Sequence, residues 1–329
     1  MRTTIRQVAQ AAGVSTATVS YVINGTGAVS GETRARVQAT IAELRYQPQY
    51  AAQALRGRSH TIALVLPGAA DRIADPALAE VLAGVAAAAV ARGYHLLLTS
   101  GGAEDEVALA RSGRVDGLLL FDALAEDPRA AALARDPVPH VWVGARPSHA
   151  GGALVGVDLH RAAQLVTQHL LAQRRRRVAL IALPGELAAS EACFAGYAAA
   201  LAVAGIALDT ALVVEAGRTE ADGYRAFEEL LAGETLPDAL LAASDELAFG
   251  ALHAIHDAAL EVGIDVAVAG MDDVPLAAHV FPPLTAVRQP RRALGSAAVA
   301  LLDRQISGGG GVEVVLLDAR LVVRASTAG

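Results

Sequence analysis

The chain contains no lysine, one cysteine and one tryptophan, and aromatic residues make up 4% of its 329 positions. The lone cysteine, Cys193, excludes an internal disulfide and a cysteine-based metal cluster. It suits a reducing compartment, and the cytoplasm is the expected location. Hydrophobic residues reach 53%, yet the longest apolar stretches, such as Val81–Ala91, are Ala-rich and interrupted by Gly or Arg. None offers the roughly 20 apolar residues of a membrane span, so no membrane partner is expected. The opening MRTTIRQVAQ is polar and periodic, without the apolar core of a secretory signal. The missing lysine, beside heavy use of Ala and Arg, reads as a GC-rich coding sequence and carries no functional meaning.

The length suggests two or three domains, and charge divides the chain unevenly. Residues 1–58 carry seven arginines against Glu32 and Glu43, a net +5, so the overall −7 leaves −12 on the remainder. A basic head on an acidic body is the layout of a small nucleic-acid-binding module joined to a larger soluble domain.

In the head, Thr4-Ile5-Arg6-Gln7 is a capping box, in which the Thr4 hydroxyl and the Gln7 side chain each take the other residue's backbone amide. A helix follows with Val8, Ala9 and Ala12 on one face, and Gly13 ends it with a left-handed turn. Ser15 or Thr16 caps a second helix over about Thr16–Ile23. Its Val19, Val22 and Ile23 face inward, and Ala17 and Tyr21 lie four apart on the opposite side. A third helix starts at Ser30, with Val37, Ile41 and Leu44 at helical spacing. Two helices joined by a tight glycine turn make a helix-turn-helix. A generic three-helix core would show the same periodicity. The positive charge and the small hydroxyls (Ser15, Thr16, Thr18, Ser20, Ser30, Thr33) favour DNA, because such groups and helix N-termini hold phosphates.

The segments TIRQVAQAAGVSTATVSYVING and VSGETRARVQATIAELRYQP strongly resemble the headpiece of the lactose/galactose repressor (LacI/GalR) family of bacterial transcriptional regulators. The resemblance implies that Thr16, Ala17 and Tyr21 face the major groove of an operator. Thr4, Ser15, Thr18, Ser20, Asn24, Ser30 and Thr33 would then lie near phosphates. Where the family usually has arginine, this chain has Tyr21. The bidentate arginine–guanine contact is lost, and a different half-site is expected. Residues 47–58 form the expected hinge, with Pro48 at its start and Gly57 at its stop. A helix this short is marginal alone. In the family it folds when two copies pair over the minor groove and a leucine, here Leu55, wedges between base pairs.

Beyond residue 59, apolar strands alternate with helices, the signature of parallel sheets covered on both faces. Two such series, Thr61–Leu66 to Val138–Val143 and Val178–Leu183 to Val266–Ala269, point to two doubly wound lobes. The expected fold is thus an all-α head (1–46), a hinge (47–58) and a two-lobed α/β body (59–329) like the periplasmic binding proteins. The N-lobe spans about 60–158 plus 290–317 and the C-lobe about 161–285 plus 320–329. VDGLLL (115–120), DELAFGALHAI (245–255), VAVAGMDDVPLA (266–277) and PPLTAVRQP (282–290) carry the resemblance into the body.

The resemblance implies a small-molecule effector, a sugar or sugar derivative, bound between the lobes beyond the strand ends. Asp245 and Asp272 match pocket positions, where carboxylates suit sugar hydroxyls, and Arg146 and Gln289 line up with cleft or crossover positions. Cys193 stands where the family has an arginine, and Arg218 where an aromatic ring often stacks. Arg218 reads either as a solvated loop residue or as a group for a carboxylate or phosphate. Cys193 reads more readily as a small buried hydrophobe than as a redox sensor. These six are the candidate effector-binding residues. The family also implies a homodimer on pseudo-palindromic double-stranded DNA. The chain ends two residues after Ser326-Thr327 with no leucine heptad, so a dimer and not a tetramer is expected.

Rival readings are weaker. A nucleotide-binding dehydrogenase would need a Gly-x-Gly-x-x-Gly turn after the first strand, and none is present. Gly308–Gly311 lacks the strand-to-helix context of a phosphate loop. Arg174–Arg177 precedes a strand and reads as a solvated turn. His253 and His256 are the nearest approach to a metal pair, without convincing acidic partners. A sugar-transport binding protein would lack residues 1–58. The chain is therefore expected to be a regulator without a cofactor, a metal or an enzymatic activity.

Overall fold

A computed structural model describes residues 3–24, 27–44, 46, 58–66, 72–234, 236–309 and 311–328. Two compact units emerge, Met1–Ser59 and His60–Gly329. The predicted hinge over 48–57, with Leu55, lies outside the described residues.

The first unit holds α1 (Ile5–Ala12), α2 (Thr16–Asn24) and α3 (Gly31–Glu43). Thr4 and Gln7 form the expected capping box, and Gly13 ends α1 at φ 63°. Ser15 caps α2 by accepting from Thr18 N at 3.0 Å, and Ser30 caps α3 by accepting from Thr33 N at 3.3 Å. Capping satisfies amides that a helix start leaves without a backbone partner. The three helices close on Val8, Ala9, Ala12, Val19, Val22, Val37 and Tyr46.

The second unit contains β1 (Thr61–Val65), α4 (Pro76–Ala91), β2 (His95–Thr99), α5 (Ala103–Arg111), β3 (Gly117–Leu120), α6 (Pro128–Arg135), β4 (His140–Gly144) and β5 (Ala153–Val157). Next come α7 (Leu159–Ala172), β6 (Val178–Ala182), α8 (Ala188–Val203), β7 (Val213–Glu215), α9 (Glu220–Leu231), β8 (Ala239–Ala242), α10 (Asp245–Asp257) and β9 (Ala267–Gly270). The chain ends with β10 (Thr285–Arg288), α11 (Arg291–Ile306), β11 (Val314–Leu317) and β12 (Arg320–Val322). Two six-stranded sheets result, ordered β11-β5-β4-β3-β1-β2 and β12-β10-β9-β8-β6-β7. In each, the first strand lies between the second and the third, which is where a doubly wound sheet opens a crevice at its carboxyl ends. The chain crosses from the first sheet to the second after β5, returns after β10, and crosses again between β11 and β12.

Strands such as β3 and β6 are buried along their whole length, because helices cover both sheet faces. Ile62, Val85, Leu119, Val141 and Leu302 lie on one face of the first sheet, and Ala63, Val107, Leu118 and Trp142 on the other. Phe227, Leu240, Leu247 and Ile255 oppose Val166, Leu180, Tyr197 and Leu241 in the second. Glycines bring helix backbones together: a Cβ on Gly84 of α4 would overlap the Arg292 carbonyl of α11, and one on Gly295 of α11 the Val81 carbonyl of α4.

The sequence pattern located none of α5, β5, β10, α11, β11 and β12 as elements, and three of them show why. The stretch near 100–114 contains α5, whose inward face offers Glu106 with Val107 and so shows little apolar periodicity. Strand β5 follows Gly151-Gly152 and is only five residues long. Helix α11 begins with two arginines, of which Arg291 is buried.

Candidate DNA-reading face and ligand cleft

In the head, each helix starts at an exposed hydroxyl: Thr4, Ser15 and Ser30. Ser15 Oγ also meets Thr18 Oγ1 at 2.9 Å, and Ser30 Oγ donates to Thr33 Oγ1 at 2.9 Å. Helix N-termini lined with small hydroxyls are receptive to phosphate oxygens. Thr16 and Ala17 are exposed, Thr18, Ser20 and Thr33 are half-buried, and Tyr21 keeps 48% of its surface in solvent. The Tyr21 ring lies against Gly27, where a Cβ would come within 2.9 Å of it, so the tyrosine is held in place at the helix surface. Asn24 ends α2, and its side chain lies outside the described residues. Arg6 and Arg36 are also exposed, and Arg36 Nε donates to Ala12 O at 3.1 Å.

In the body, a cleft of about 180 Å³ opens between the carboxyl ends of the two sheets. The first lobe supplies Arg72, Asp75, Asp122 and an apolar wall of Leu78, Val81, Phe121, Val143 and Leu294. The second supplies Arg218, Ser244, Glu246 and Asp272, and Gln289 and Arg291 enter from the returning crossover. Each of the three arginines faces a carboxylate. Arg72 Nε donates to Asp122 Oδ2 at 2.9 Å, and its Nη1 meets Asp75 Oδ2 at 2.9 Å. Arg218 Nη2 reaches across from the other lobe to Asp122 Oδ1 at 3.3 Å. Arg291, 5% exposed, donates to both the carboxylate and the carbonyl of Asp272. Burial, reinforced by the Asp272 charge, pushes Glu246 up to about 7. It therefore carries its proton for much of the time at neutral pH and can both donate and accept.

A family model described as bacterial regulatory proteins, lacI family, matches residues 4–49, and a periplasmic binding protein-like domain matches residues 167–327. The HTH-type transcriptional regulator AglR of Rhizobium meliloti (strain 1021) is 37% identical over 340 residues, covering 99% of this chain and 95% of that protein. The chain belongs to the lacI family of bacterial regulatory proteins. Among solved structures, the complex of the transcriptional regulator CelR with cellobiose aligns with a TM-score of 0.77 at 34% identity, over 99% of this chain and 100% of that one. The lac repressor dimer bound to operator and the anti-inducer ONPF aligns at 0.89 and 27% identity, over the whole of both chains.

Of the six candidate effector residues, the fold brings Arg218, Asp272 and Gln289 into the cleft lining and leaves Arg146, Cys193 and Asp245 outside it. Asp245 is fully buried, and its carboxylate accepts from the backbone N–H groups of Asp272 and Val274 at 3.0 and 2.9 Å. Its acceptors hold the strand end that carries Asp272, and burial with the Asp272 charge raises its pKa well above the usual carboxylate range. Cys193 packs among Leu180, Tyr197 and Met271, and burial pushes its thiol up to about 12. Arg146 Nη1 donates to Gly152 O at 2.6 Å and braces its own loop.

Sequence reasoning missed Arg72, Asp75, Asp122, Glu246 and Arg291. Two had a readable signal. Asp75-Pro76 is a helix start, and Asp75 caps α4 through Ala77 N at 2.8 Å. Asp122 directly follows the buried run of β3, at the carboxyl end where such sheets bind ligands. His253, one half of the nearest approach to a metal pair, meets Asp257 at 3.7 Å and the Tyr224 ring.

Proposed function

We propose that this chain is a cytoplasmic transcription repressor without enzymatic activity. It binds a pseudo-palindromic operator as a homodimer and changes its grip when a small polyhydroxylated molecule occupies the cleft. One observation carries the reading: a capped helix-turn-helix with an exposed Ala17–Tyr21 face is joined in one chain to a two-lobed body with a charged cleft at its strand ends. Thr16, Ala17 and Tyr21 read base edges. Thr4, Ser15, Thr18, Ser20, Asn24, Ser30 and Thr33 position the backbone, and Leu55 wedges into the minor groove. A second copy is accommodated on the free edge of the first sheet, where Leu96, Leu97 and Leu98 of β2 remain 38–42% exposed.

In the cleft, Asp272 and Gln289 address ligand hydroxyls. Asp245 serves as a brace and Cys193 and Arg146 as packing. The relatives supply precedent for the ligand class, since one solved neighbour is a complex with cellobiose. Ligand binding that alters the angle between lobes changes the spacing of the paired hinges. Coupling of this kind usually amounts to about 1–3 kcal/mol.

The test is selection from random duplex DNA with the full-length protein, followed by anisotropy titration. An inverted-repeat site should emerge. Tyr21→Ala should relax preference at one position at a cost of about 1–3 kcal/mol, whereas Arg6→Ala should weaken all sequences alike and flatten the salt dependence. Recovery of no repeat, or identical behaviour of the two variants, refutes the assignment of the reading face.

A further inference from the structure

We propose that Asp122 and Arg218, one from each lobe, read two neighbouring hydroxyls of an uncharged polyol across the cleft, and that this pair makes the site select neutral ligands over anionic ones. The inference rests on the cleft being the ligand site. It goes further in naming the residues and the charge class.

Asp122 is anchored from its own side. It follows β3 with φ 47°, and Arg72 holds it through Nε at 2.9 Å while Arg72 itself is tied to Asp75. The second lobe touches it more loosely, through the single 3.3 Å contact from Arg218 Nη2. Among the described residues that is the one hydrogen bond from the Arg218 guanidinium, which has five donors. Among the described residues Arg218 therefore lines the cleft with donors that this contact does not use.

An acceptor and a donor side by side match a vicinal diol. One hydroxyl donates to Asp122, and the next accepts from Arg218. Adjacent ring oxygens lie about as far apart as these two groups do. The charges stay together while the diol binds, so no ion pair is separated. The first lobe's apolar lining, with Leu78, Val81, Phe121 and Leu294, offers surface to ring C–H groups.

An anionic ligand meets a different balance. Asp75, Asp122, Asp272 and Glu246 all line the cleft, and Arg72, Arg218 and Arg291 already face carboxylates. A carboxylate or phosphate that took the remaining Arg218 donors would lie against the Asp122 carboxylate and near Asp75 and Asp272, with the charge of each cleft arginine already offset. Arg218 viewed without its partner suggests an anion site; the paired arrangement points the other way. A site built to hydrogen-bond hydroxyls also discriminates strongly against ligands that leave its polar groups unmatched.

The experiment is calorimetric titration of the full-length protein with D-glucose, D-ribose and cellobiose, and with D-glucuronate and glucose 6-phosphate as acidic counterparts. At least one neutral sugar should bind tenfold or more tighter than the acidic probes. Asp122→Asn keeps the shape and the contact to Arg72 but loses the acceptor charge; Arg218→Met keeps the stem but loses the donors. Each should weaken that sugar tenfold or more, and the double variant should bind no worse than the weaker single one. The ratio of neutral to acidic affinity should also collapse in Asp122→Asn, a change that a purely structural role would not produce. Tighter binding of an acidic probe by the wild type overturns the proposal. So does a neutral sugar bound equally by wild type and both variants; if Asp272→Asn then abolishes binding, the cleft reading stands without this pair. Binding of none of the five probes overturns both.

Discussion

The two lobes of the body share one plan and use it differently. Each is a six-stranded sheet with the same interior order, yet the last strand of the first sheet, β11, runs parallel to its neighbour and that of the second, β12, antiparallel. At the cleft the first lobe presents most of the apolar wall, and its polar groups are an ion-paired ladder of Arg72, Asp75 and Asp122. The second presents a serine, two carboxylates and an arginine that, among the described residues, makes one guanidinium hydrogen bond. A common scaffold therefore leaves the chemistry of the cleft to the residues just past each strand, and each lobe brings a different mix of apolar and charged groups to it.

That division can be broken at several points. The largest effect should come from the second lobe's core. Phe227 is fully buried, and Phe227→Ala should cost about 3–5 kcal/mol in denaturant unfolding. A loss under 1 kcal/mol would show that the lobe tolerates the cavity. Next is the buried ion pair at the cleft. Asp272→Ala leaves Arg291, 5% exposed, without its carboxylate, and should cost about 3 kcal/mol. The equivalent change in the first lobe, Asp122→Ala, should cost about 1 kcal/mol, because the Asp122 side chain keeps 21% of its surface in solvent. Equal losses would remove the contrast between a buried ion pair and a partly exposed one.

A smaller effect should follow pH. Burial raises Glu106 in the first lobe and Glu246 in the second to about 7, against ordinary values of 4.5. The folded protein then holds protons that the unfolded chain has released, so its stability falls as pH rises through 7. His140 and His169 are shifted downward by burial and exert their effect below pH 6.5. Thermal melts should therefore drop by a few degrees between pH 6.5 and 8, and Glu106→Gln should flatten part of the slope. The smallest effect belongs to the head, where Ser30→Ala removes the cap of α3 and should cost about 1 kcal/mol.

The fold was legible where period and capping agreed. Strand Gly117–Leu120 and helix Pro128–Arg135 follow from an apolar run and from Asp127-Pro128 as a helix start. Helix α5 was hidden because a carboxylate, Glu106, occupies its inward face. In the cleft, Asp272 and Gln289 were visible through the family motif, but Arg72, Asp122 and Arg291 were not, since their importance arises from partners 50, 96 and 19 residues away. Asp245 matched a pocket position, yet its carboxylate turns to backbone amides nearby. A carboxylate's partner is a property of three-dimensional packing and cannot be read from residue type alone.

The glycine contact between α4 and α11 has a consequence for how this chain is made. Gly84 and Gly295 close the same helix pair, and α11 fills the first sheet with Leu294, Val299 and Leu302. On the ribosome, β1 to β5 emerge long before the helix that covers them, and β11 comes later still. The second sheet likewise waits for β10 and β12. Neither lobe can finish before the segment carrying β10, α11, β11 and β12 leaves the exit tunnel, so both spend synthesis with apolar sheet surface uncovered. A nascent chain stalled before residue 285 should engage holding chaperones and resist protease poorly, whereas the head, complete by residue 46, can fold as soon as it appears.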